Sequence, residues 1–423
     1  MRTLVKNGQL LVDNKLVSQD VLIENGIVSS ILMPGQDVAA DETIDAAGKF
    51  VSPGLVDVHV HYREPGYTEK ETIRTGTLAA AHGGYTTVCA MPNLNPTPDT
   101  VEHLTDQIKL NDEKAVVKVL QYATITENRE GDKLVDFAAL KNAGAFAFSN
   151  DGSGIQTSET MYKAMQEAAK LEMAVVAHVE DSSLSAGGAL AETAAERIGV
   201  KPIPWVSETA QVARDLMLAE SAGAHYHVCH VSSKHTVEII RAAKRHGINV
   251  TCEVTPHHLL LTEDDIVEDN SLFKMNPPLR SEEDRQALVD GLLDGTIDMI
   301  ATDHAPHTPD EKNKPISKAP FGITGSETAF SMLYTKYVKT GIFTLEQLVG
   351  WLAKKPARVF NIKGAGKISV GSPADLAVFN LDDASSIKEI EFESKGKNSP
   401  FVGEKVYGQT ELTMVDGQVV YQK

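Results

Sequence analysis

The chain has 423 residues, of which 42% are hydrophobic and 23% charged, a composition typical of a globular protein with a large core. Its formal net charge of −18 argues against nucleic acid or an anionic membrane as a partner, because either would require a basic face. No run approaches the ~20 apolar residues of a membrane span, and the N-terminus breaks into a polar turn before a secretory apolar segment can form.

The three cysteines bear on the cellular compartment. Cys89, Cys229 and Cys252 are odd in number, far apart and set in apolar, strand-like runs. Disulfides belong to oxidising compartments, so this pattern favours buried free thiols in a reducing one. We therefore expect a cytoplasmic protein.

Both ends of the chain have the same local pattern. Residues 1–52 alternate short strands and turns without a helical period, and residues 363–423 do so again. Neither piece is large enough to bury a core alone. We expect them to pair into one small β-sandwich domain, which leaves residues 53–362 between them as an uninterrupted unit.

The central unit alternates short apolar runs with Ala-rich, charged stretches of helical period. Helical patterns cover 71–82, 160–171, 208–222, 236–246 and 282–294. Eight strands are predicted, at 55–61, 85–91, 116–122, 145–149, 174–178, 226–230, 249–254 and 298–302. This alternation predicts an α/β fold, a closed (β/α)8 TIM barrel. The alternative is an open doubly wound sheet, but no G-x-G-x-x-G follows the first strand.

The first barrel strand carries two histidines, His59 and His61, two residues apart. Side chains at this spacing share one face of a strand, so both imidazoles can meet one metal ion. Arg63 follows and can hold a substrate carboxylate nearby. In a chain with 14 histidines this motif alone is weak.

Other strands also end in potential ligands. In a (β/α)8 barrel the working groups lie where strands end and loops begin. Here those positions hold Asp151 after strand 4, His178 after strand 5, His230 after strand 6 and Asp303 after strand 8. A lone histidine at a strand end is more often a hydrogen-bonded structural residue. Four histidines and two aspartates at five such positions instead predict metal binding.

Imidazole and carboxylate ligands favour zinc, with manganese or cobalt as substitutes. We expect two zinc ions: His59 and His61 hold the first, His178 and His230 the second, and Asp151 bridges them. Asp303 contacts the first ion. It is the predicted catalytic residue, an acid/base that takes a proton from the attacking water and passes it to a leaving nitrogen.

Motifs along nearly the whole chain resemble those of one family, in the family's order. They are PGLVDVHVHYREPG, CAMPNLNP, AFSNDG, AHVED, CHVSS, NPPLR, ATDHAPH and GSPADLAVF. The chain is similar to bacterial dihydroorotases of the amidohydrolase superfamily, the type related to the dihydroorotase domain of multifunctional pyrimidine enzymes. The resemblance implies reversible interconversion of (S)-dihydroorotate and N-carbamoyl-L-aspartate in pyrimidine synthesis. It also suggests a homodimer and an association with aspartate transcarbamoylase.

The resemblance further implies how the substrate is held. A carboxylate clamp would consist of Arg63, Asn93 and His307, with His61 also bordering the substrate. Asn276 and the backbone at Phe321 and Gly322 would meet the ring amides. The structural alternatives are that Asn93 caps a turn and that His307 is a solvated loop residue.

The sequence leaves two alternative functions to consider. Hydantoinases and allantoinases resemble one another in bridging their metals with a carboxylated lysine at the end of strand 4. Here Lys141 precedes that strand and Lys163 lies well past it, which leaves Asp151 as the bridge. The other rival is a non-catalytic scaffold, which a missing ligand would reveal, and none is missing.

Four further histidines and one loop receive weaker interpretations. His225 and His227 have the opposite parity to His230, so we expect them to face the helices. His257 and His258 are expected to be structural. The loop at 308–325 is either a lid over the substrate or a static insertion.

Overall fold

The computed structural model describes residues 1–423. The chain begins with five strands that precede the barrel. They are β1 (Arg2–Val12), β2 (Lys15–Glu24), β3 (Ile27–Leu32), β4 (Glu42–Asp45) and β5 (Phe50–Pro53). Asp13 and Asn14 turn the chain between β1 and β2, and Asn25 and Gly26 between β2 and β3, all with the positive φ that tight hairpin connections require.

Eight short parallel strands follow and form the barrel. They are β6 (Leu55–Val60), β7 (Tyr85–Ala90), β8 (Lys118–Gln121), β9 (Phe148–Ser149), β10 (Ala174–Ala177), β11 (His225–Val228), β12 (Val250–Val254) and β13 (Met299–Ile300). Regular hydrogen bonding joins neighbouring strands in two sets, the first from β6 through β8 and the second from β9 through β13. Bridges between Ala123 and Phe148 and between Val60 and His304 join the two sets. The predicted (β/α)8 barrel, with its eight strands, is confirmed.

The helices pack around these strands, most of whose residues are buried, as is usual for parallel strands. The long ones are α1 (Ile73–His82), α2 (Val101–Lys114), α4 (Ser158–Lys170), α7 (Trp205–Ala222), α8 (Lys234–Arg245) and α10 (Glu282–Asp294). The short ones are α3 (Phe137–Asn142), α5 (Ser182–Ser185), α6 (Glu192–Ile198), α9 (Pro256–Leu260), α11 (Pro309–Lys312), α12 (Ala329–Leu333), α13 (Leu345–Val349) and α14 (Lys355–Val359). A π-helical turn continues α12 (Tyr334–Val338), and another joins α13 to α14 (Gly350–Lys354).

Hydroxyl side chains fix the starts of many of these helices. Thr72, Thr100, Thr157 and Ser281, for example, each accept a hydrogen bond from the backbone N–H three residues on. No helix is long and apolar enough to cross a lipid bilayer.

The last strands return to the first ones. They are β14 (Leu376–Asn380), β15 (Ser385–Ser386), β16 (Lys405–Val406), β17 (Gln409–Val415) and β18 (Gln418–Gln422). β14 pairs antiparallel with β5, so β14, β17 and β18 extend the sheet formed by β1 to β5 to eight strands. A core of twelve buried residues from both termini covers this sheet, among them Val5, Val21, Leu376 and Met414. This is the small β domain predicted from the two ends.

The segment between β15 and β17 leaves this sheet and packs on the barrel. Ile387, Phe392 and Phe401 share one buried cluster with Met275 and Ile323 from barrel loops. The C-terminal part of the chain therefore reaches the same face of the barrel as the ends of the strands.

Candidate metal centre and substrate cavity

Two histidines at the end of β6 face two carboxylates. His59 Nε2 lies 3.4 Å from an oxygen of Asp151 and 3.4 Å from Asp303 Oδ1. His61 Nε2 lies 3.0 Å from Asp303 Oδ1 and 3.4 Å from Asp151 Oδ2. All four side chains are buried, so these groups meet with little solvent between them.

A second pair of histidines approaches Asp151 from the other side. His178 Nδ1 and His230 Nε2 lie 3.0 Å apart, and they are 3.9 and 3.7 Å from Asp151 Oδ1. The Asp151 carboxylate thus lies between the two histidine pairs. This is the placement that the sequence analysis expected of a bridging ligand.

The donor atoms at this centre fit metal ions. Side-chain atoms of His59, His61 and Asp151 lie within 4.8 Å of one another, and so do those of Asp151, His178 and His230. His59 Nε2 and Asp151 Oδ1 are buried with no hydrogen-bond partner. Buried polar atoms are nearly always paired, so these unpaired atoms facing one another indicate a site that a cation completes.

The surrounding charges keep both carboxylates ionised. Burial acts to raise the pKa of Asp151, but the facing His59, His230 and His61 imidazoles outweigh it and hold that pKa well below its usual range. The pKa of Asp303 is also lowered, because His59 and His61 outweigh the effect of burial. Ionised carboxylates are the form that binds a metal or accepts a proton.

Each of three histidines is oriented by a partner on its other nitrogen. Glu253 Oε1 lies 2.6 Å from His59 Nδ1, and Glu180 Oε2 lies 2.9 Å from His178 Nε2. Asn93 Oδ1 lies 2.8 Å from His61 Nδ1. Such partners select the tautomer and direct the free nitrogen toward the ion. Glu253 and Glu180 were missed as site residues by the sequence analysis.

Glu253 is the innermost of these partners. It is fully buried in β12, where His59 and His227 outweigh the effect of burial and lower its pKa to about 2. Its second oxygen lies 3.2 Å from His227 Nε2. A charged residue inside the apolar run VTCEV was the signal that could have identified it.

The expectation that His225 and His227 face the helices is wrong. Both contact the hydroxyl of Thr251 on the neighbouring strand at 2.8 Å, and His227 also contacts Glu253 inside the barrel. The expectation assumed that side chains alternate regularly from His225 to His230, but His230 has a φ of +32°. That left-handed residue interrupts the alternation of β11, so His227 and His230 both point inward.

His257 and His258 follow β12 in α9. His258 contacts the Thr255 hydroxyl at 2.7 Å and the Pro277 carbonyl at 2.9 Å, so both of its ring nitrogens are engaged in local structure. His257 is also buried.

Asp57 fixes the end of β13 relative to β6. Its carboxylate accepts hydrogen bonds from the Thr302 N–H at 3.0 Å, the Thr302 hydroxyl at 2.5 Å and the His59 N–H at 3.2 Å. Asp303 follows with a φ of +48°, which turns its side chain back over the centre. Thr302 and Asp57 therefore set the distance between Asp303 and the two histidines of β6.

Beside the metal centre lies a cavity of about 180 Å³. Arg63 donates to the Pro306 carbonyl at 3.3 Å, and its Nη2 lies 3.4 Å from His307 Nε2. Asn276 donates to Glu180 at 2.7 Å. The cavity is lined by His61, Arg63, Asn93, Asp151, Gly152, His178, His230, Asn276, Asp303, Ala305, His307, Phe321 and Gly322. Every residue predicted to bind metal or substrate lines it, except His59, which lies beneath.

His307 connects two parts of the cavity wall. Its Nε2 lies 2.8 Å from the Phe321 carbonyl. Burial has the largest effect on the pKa of His307, and the nearby Arg63 cation adds to it, so that the pKa falls to about 3. The imidazole is therefore neutral and donates to that carbonyl. The wall therefore presents a neutral histidine beside the Arg63 cation.

The chain is similar to known proteins in sequence and in structure. A family model described as dihydro-orotase-like matches residues 48–236. A dihydroorotase from Ligilactobacillus salivarius (strain UCC118) is 60% identical over 426 residues, covering 100% of this chain and 99% of that protein. A dihydroorotase from Macrococcus caseolyticus (strain JCSC5402) is 56% identical, with the same coverage.

Two solved structures show the same architecture. The L-hydantoinase (dihydropyrimidinase) from Arthrobacter aurescens has a TM-score of 0.89 at 32% identity, covering 100% of this chain and 96% of that one. The dihydropyrimidinase from Brevibacillus agri NCHU1002 has a TM-score of 0.87 at 24% identity, covering 100% and 95%, and it bears on the fold alone.

Proposed function

Because the chain belongs to the dihydroorotase family of cyclic amidohydrolases, we propose that the cavity beside Asp303 is where (S)-dihydroorotate and N-carbamoyl-L-aspartate are interconverted. Dihydroorotase activity itself follows from relatives 54–60% identical over the whole chain. The observation that carries the placement is the cluster of four histidines and two aspartates that borders this cavity.

The proposed cofactor is a pair of zinc ions. His59 and His61 would hold one, His178 and His230 would hold the other, and Asp151, which lies between the pairs, would be shared by both. The unpaired nitrogen of His59 and the unpaired oxygen of Asp151 support this assignment. Zinc bound there would lower the pKa of water toward neutrality and polarise a carbonyl oxygen.

Asp303 is the proposed acid/base. Its carboxylate is ionised and lies at the cavity surface, 3.0 Å from His61 Nε2. In hydrolysis it accepts a proton from the attacking water and delivers it to the ring nitrogen that leaves. Synthesis follows the same steps in reverse.

A carboxylate clamp is the proposed specificity element. Arg63 supplies the charge, His307 beside it a neutral imidazole, and Asn93, which lines the same cavity, the amide. Dihydroorotate has an exocyclic carboxylate that hydantoin lacks, so Arg63 gains a charged partner only with dihydroorotate. Asn276 and the backbone of Phe321 and Gly322 would meet the ring amides.

The bridging residue argues against a hydantoinase. Lys141 donates to the Leu171 carbonyl at 2.7 Å on an exposed surface, and Lys163 pairs with Glu159 on α4. Neither lysine contacts the metal centre. Asp151, which lies 3.4 Å from both His59 Nε2 and His61 Nε2, is the proposed bridge instead.

Binding to a catalytically impaired protein tests the clamp apart from the chemistry. With zinc-loaded Asp303→Asn protein, N-carbamoyl-L-aspartate should bind measurably by calorimetry. Adding Arg63→Ala should weaken that binding by about tenfold or more, because a charge-assisted hydrogen bond is lost. Equal affinity in the two proteins would contradict the clamp.

Domain limits, assembly and location are also proposals. We place the barrel at residues 53–362 and the small β domain at 1–52 and 363–423.

The three cysteines are buried free thiols, which supports a reducing compartment, the cytoplasm. A homodimer and association with aspartate transcarbamoylase rest on the family relationship, and light scattering of the chain alone and mixed with that enzyme tests both.

A further inference from the structure

One wall of the cavity is held from behind by a buried lysine. Lys312 ends the short helix α11 and its side chain is buried. An ammonium group has three hydrogens to donate. Here its Nζ donates to three backbone carbonyls, those of Gly322 at 3.0 Å, Pro320 at 3.1 Å and Lys274 at 3.4 Å.

The three carbonyls belong to the segments that shape the cavity. Gly322 lines the cavity itself, and its N–H donates to the Lys274 carbonyl at 2.9 Å. Gly322 has a φ of +114°, and a Cβ placed there would lie 2.6 Å from the Cβ of Ala305. The wall is thus in close contact with the segment that carries His307, and only glycine fits.

A second residue, Asn398, hydrogen-bonds both to this wall and to His307. Asn398 is buried, and it lies in the C-terminal segment that packs on the barrel. Its amide nitrogen donates to the carbonyls of Ala305 and Gly322, each at 3.1 Å. Its side-chain oxygen accepts from the His307 N–H at 3.0 Å. One side chain therefore fixes the spacing of two cavity residues.

We propose that Lys312 and Asn398 are positioning residues that hold the Phe321–Gly322 wall at the distance from His307 that dihydroorotate requires. Neither side chain lines the cavity, so both act through the backbone of the wall. The inference rests on the proposed function in one respect, that this wall contacts the substrate.

The proposal predicts a pH dependence of substrate binding. Burial has the largest effect on the pKa of Lys312, and the nearby Lys274 ammonium adds to it, so that the pKa falls to about 7. Glu311, on the same helix as Lys312, acts in the opposite direction. His307 is also close enough for the Lys312 charge to act on its pKa, and Glu311 itself pairs with Lys70 at 2.8 Å. A neutral amine donates two hydrogen bonds rather than three, so the wall loses one contact as the pH rises past about 7.

The test compares steady-state constants for dihydroorotate in zinc-loaded proteins between pH 6 and pH 9. Lys312→Met keeps an unbranched apolar side chain that reaches as far as the Lys Cε and removes the ammonium group. It should raise KM about tenfold at pH 6 with kcat and bound zinc nearly unchanged. The KM of the wild-type protein should rise as the pH passes about 7, and that of the Lys312→Met protein should not show this step. Lys318→Met, at an exposed lysine of the same loop, should behave as wild type.

A wild-type KM and pH profile in the Lys312→Met protein would overturn the role of Lys312. If that variant fails to fold, Asn398→Asp decides, because it keeps the oxygen that faces His307 and replaces the donor to Gly322. A raised KM with zinc retained supports the proposal, and an unchanged KM refutes it. If the wild-type protein does not open dihydroorotate, the proposed function fails instead. Amide exchange of residues 308–325 then tests the positioning role, since Lys312→Met should accelerate it and equal rates would refute it.

Discussion

His59 Nδ1 and Glu253 Oε1 lie 2.6 Å apart inside the barrel, and this contact determines which nitrogen of His59 faces the cavity side. With Nδ1–H donating to the carboxylate, the lone pair of Nε2 points toward Asp151 and Asp303. The contact continues through Glu253 to His227, Thr251 and His225, so a row of buried polar side chains runs from the metal centre along the inside of the barrel.

Glu253→Gln should weaken zinc binding by about 10- to 100-fold, because the neutral amide no longer stabilises the orientation and basicity of His59. Competition with a chromophoric zinc chelator measures this directly. Glu238→Gln, at an exposed position of α8, is the matched control and should leave zinc affinity unchanged. Equal affinities in all three proteins would show that His59 needs no carboxylate partner.

Asp303→Asn should reduce kcat by about 10²- to 10⁴-fold, the usual contribution of an acid/base group, while zinc content stays close to that of the wild type. The substitution conserves shape and removes the negative charge together with the ability to take up a proton. Turnover and elemental analysis on the same sample separate the two effects. An asparagine variant with wild-type turnover would refute the assigned role.

Arg63→Ala should raise KM for dihydroorotate by about 10- to 100-fold, which corresponds to the ~1.5–3 kcal/mol of a hydrogen bond to a charged group. Arg63 lies beside His307 in the cavity wall, and Asn93 lines the same cavity. Arg74→Ala, at an exposed arginine of α1, is the control. The clamp would be contradicted if both variants gave the wild-type KM.

The equilibrium between the two substrates should depend on pH in a known direction. Ring closure joins a ureido nitrogen to a carboxylate, releases water and consumes one proton. Acid therefore favours dihydroorotate, and the ratio of dihydroorotate to N-carbamoyl-L-aspartate should fall about tenfold for each unit of rising pH. Assaying both compounds at equilibrium from pH 6 to pH 8 tests this, and a constant ratio would be inconsistent with the proposed reaction.

Much of the architecture was predictable because it is local in the sequence. Alternating apolar runs and helical periods gave all eight barrel strands, and the helix at 282–294 was predicted with its observed limits. Candidate ligands such as His178 and Asp151 closely follow strands, so barrel topology alone brings them to one face. The pairing of the two termini was predictable because neither piece could bury its own core.

The remainder depends on contacts between distant parts of the chain. Glu253 meets His59 across the barrel, and Asn398 reaches His307 from the C-terminal segment. No spacing in the sequence indicates either contact. His227 was misplaced for a different reason, since the positive φ of His230 breaks the alternation on which the parity argument relied. Backbone conformations of this kind are set by tertiary packing.

The most direct test is turnover of the zinc-loaded protein with dihydroorotate, hydantoin and allantoin side by side, with bound metal counted on the same sample. We predict ring opening of dihydroorotate alone, with two zinc ions per chain. Ring opening of hydantoin or allantoin with dihydroorotate left intact would contradict the carboxylate clamp, and bound metal without any turnover would contradict the catalytic assignment.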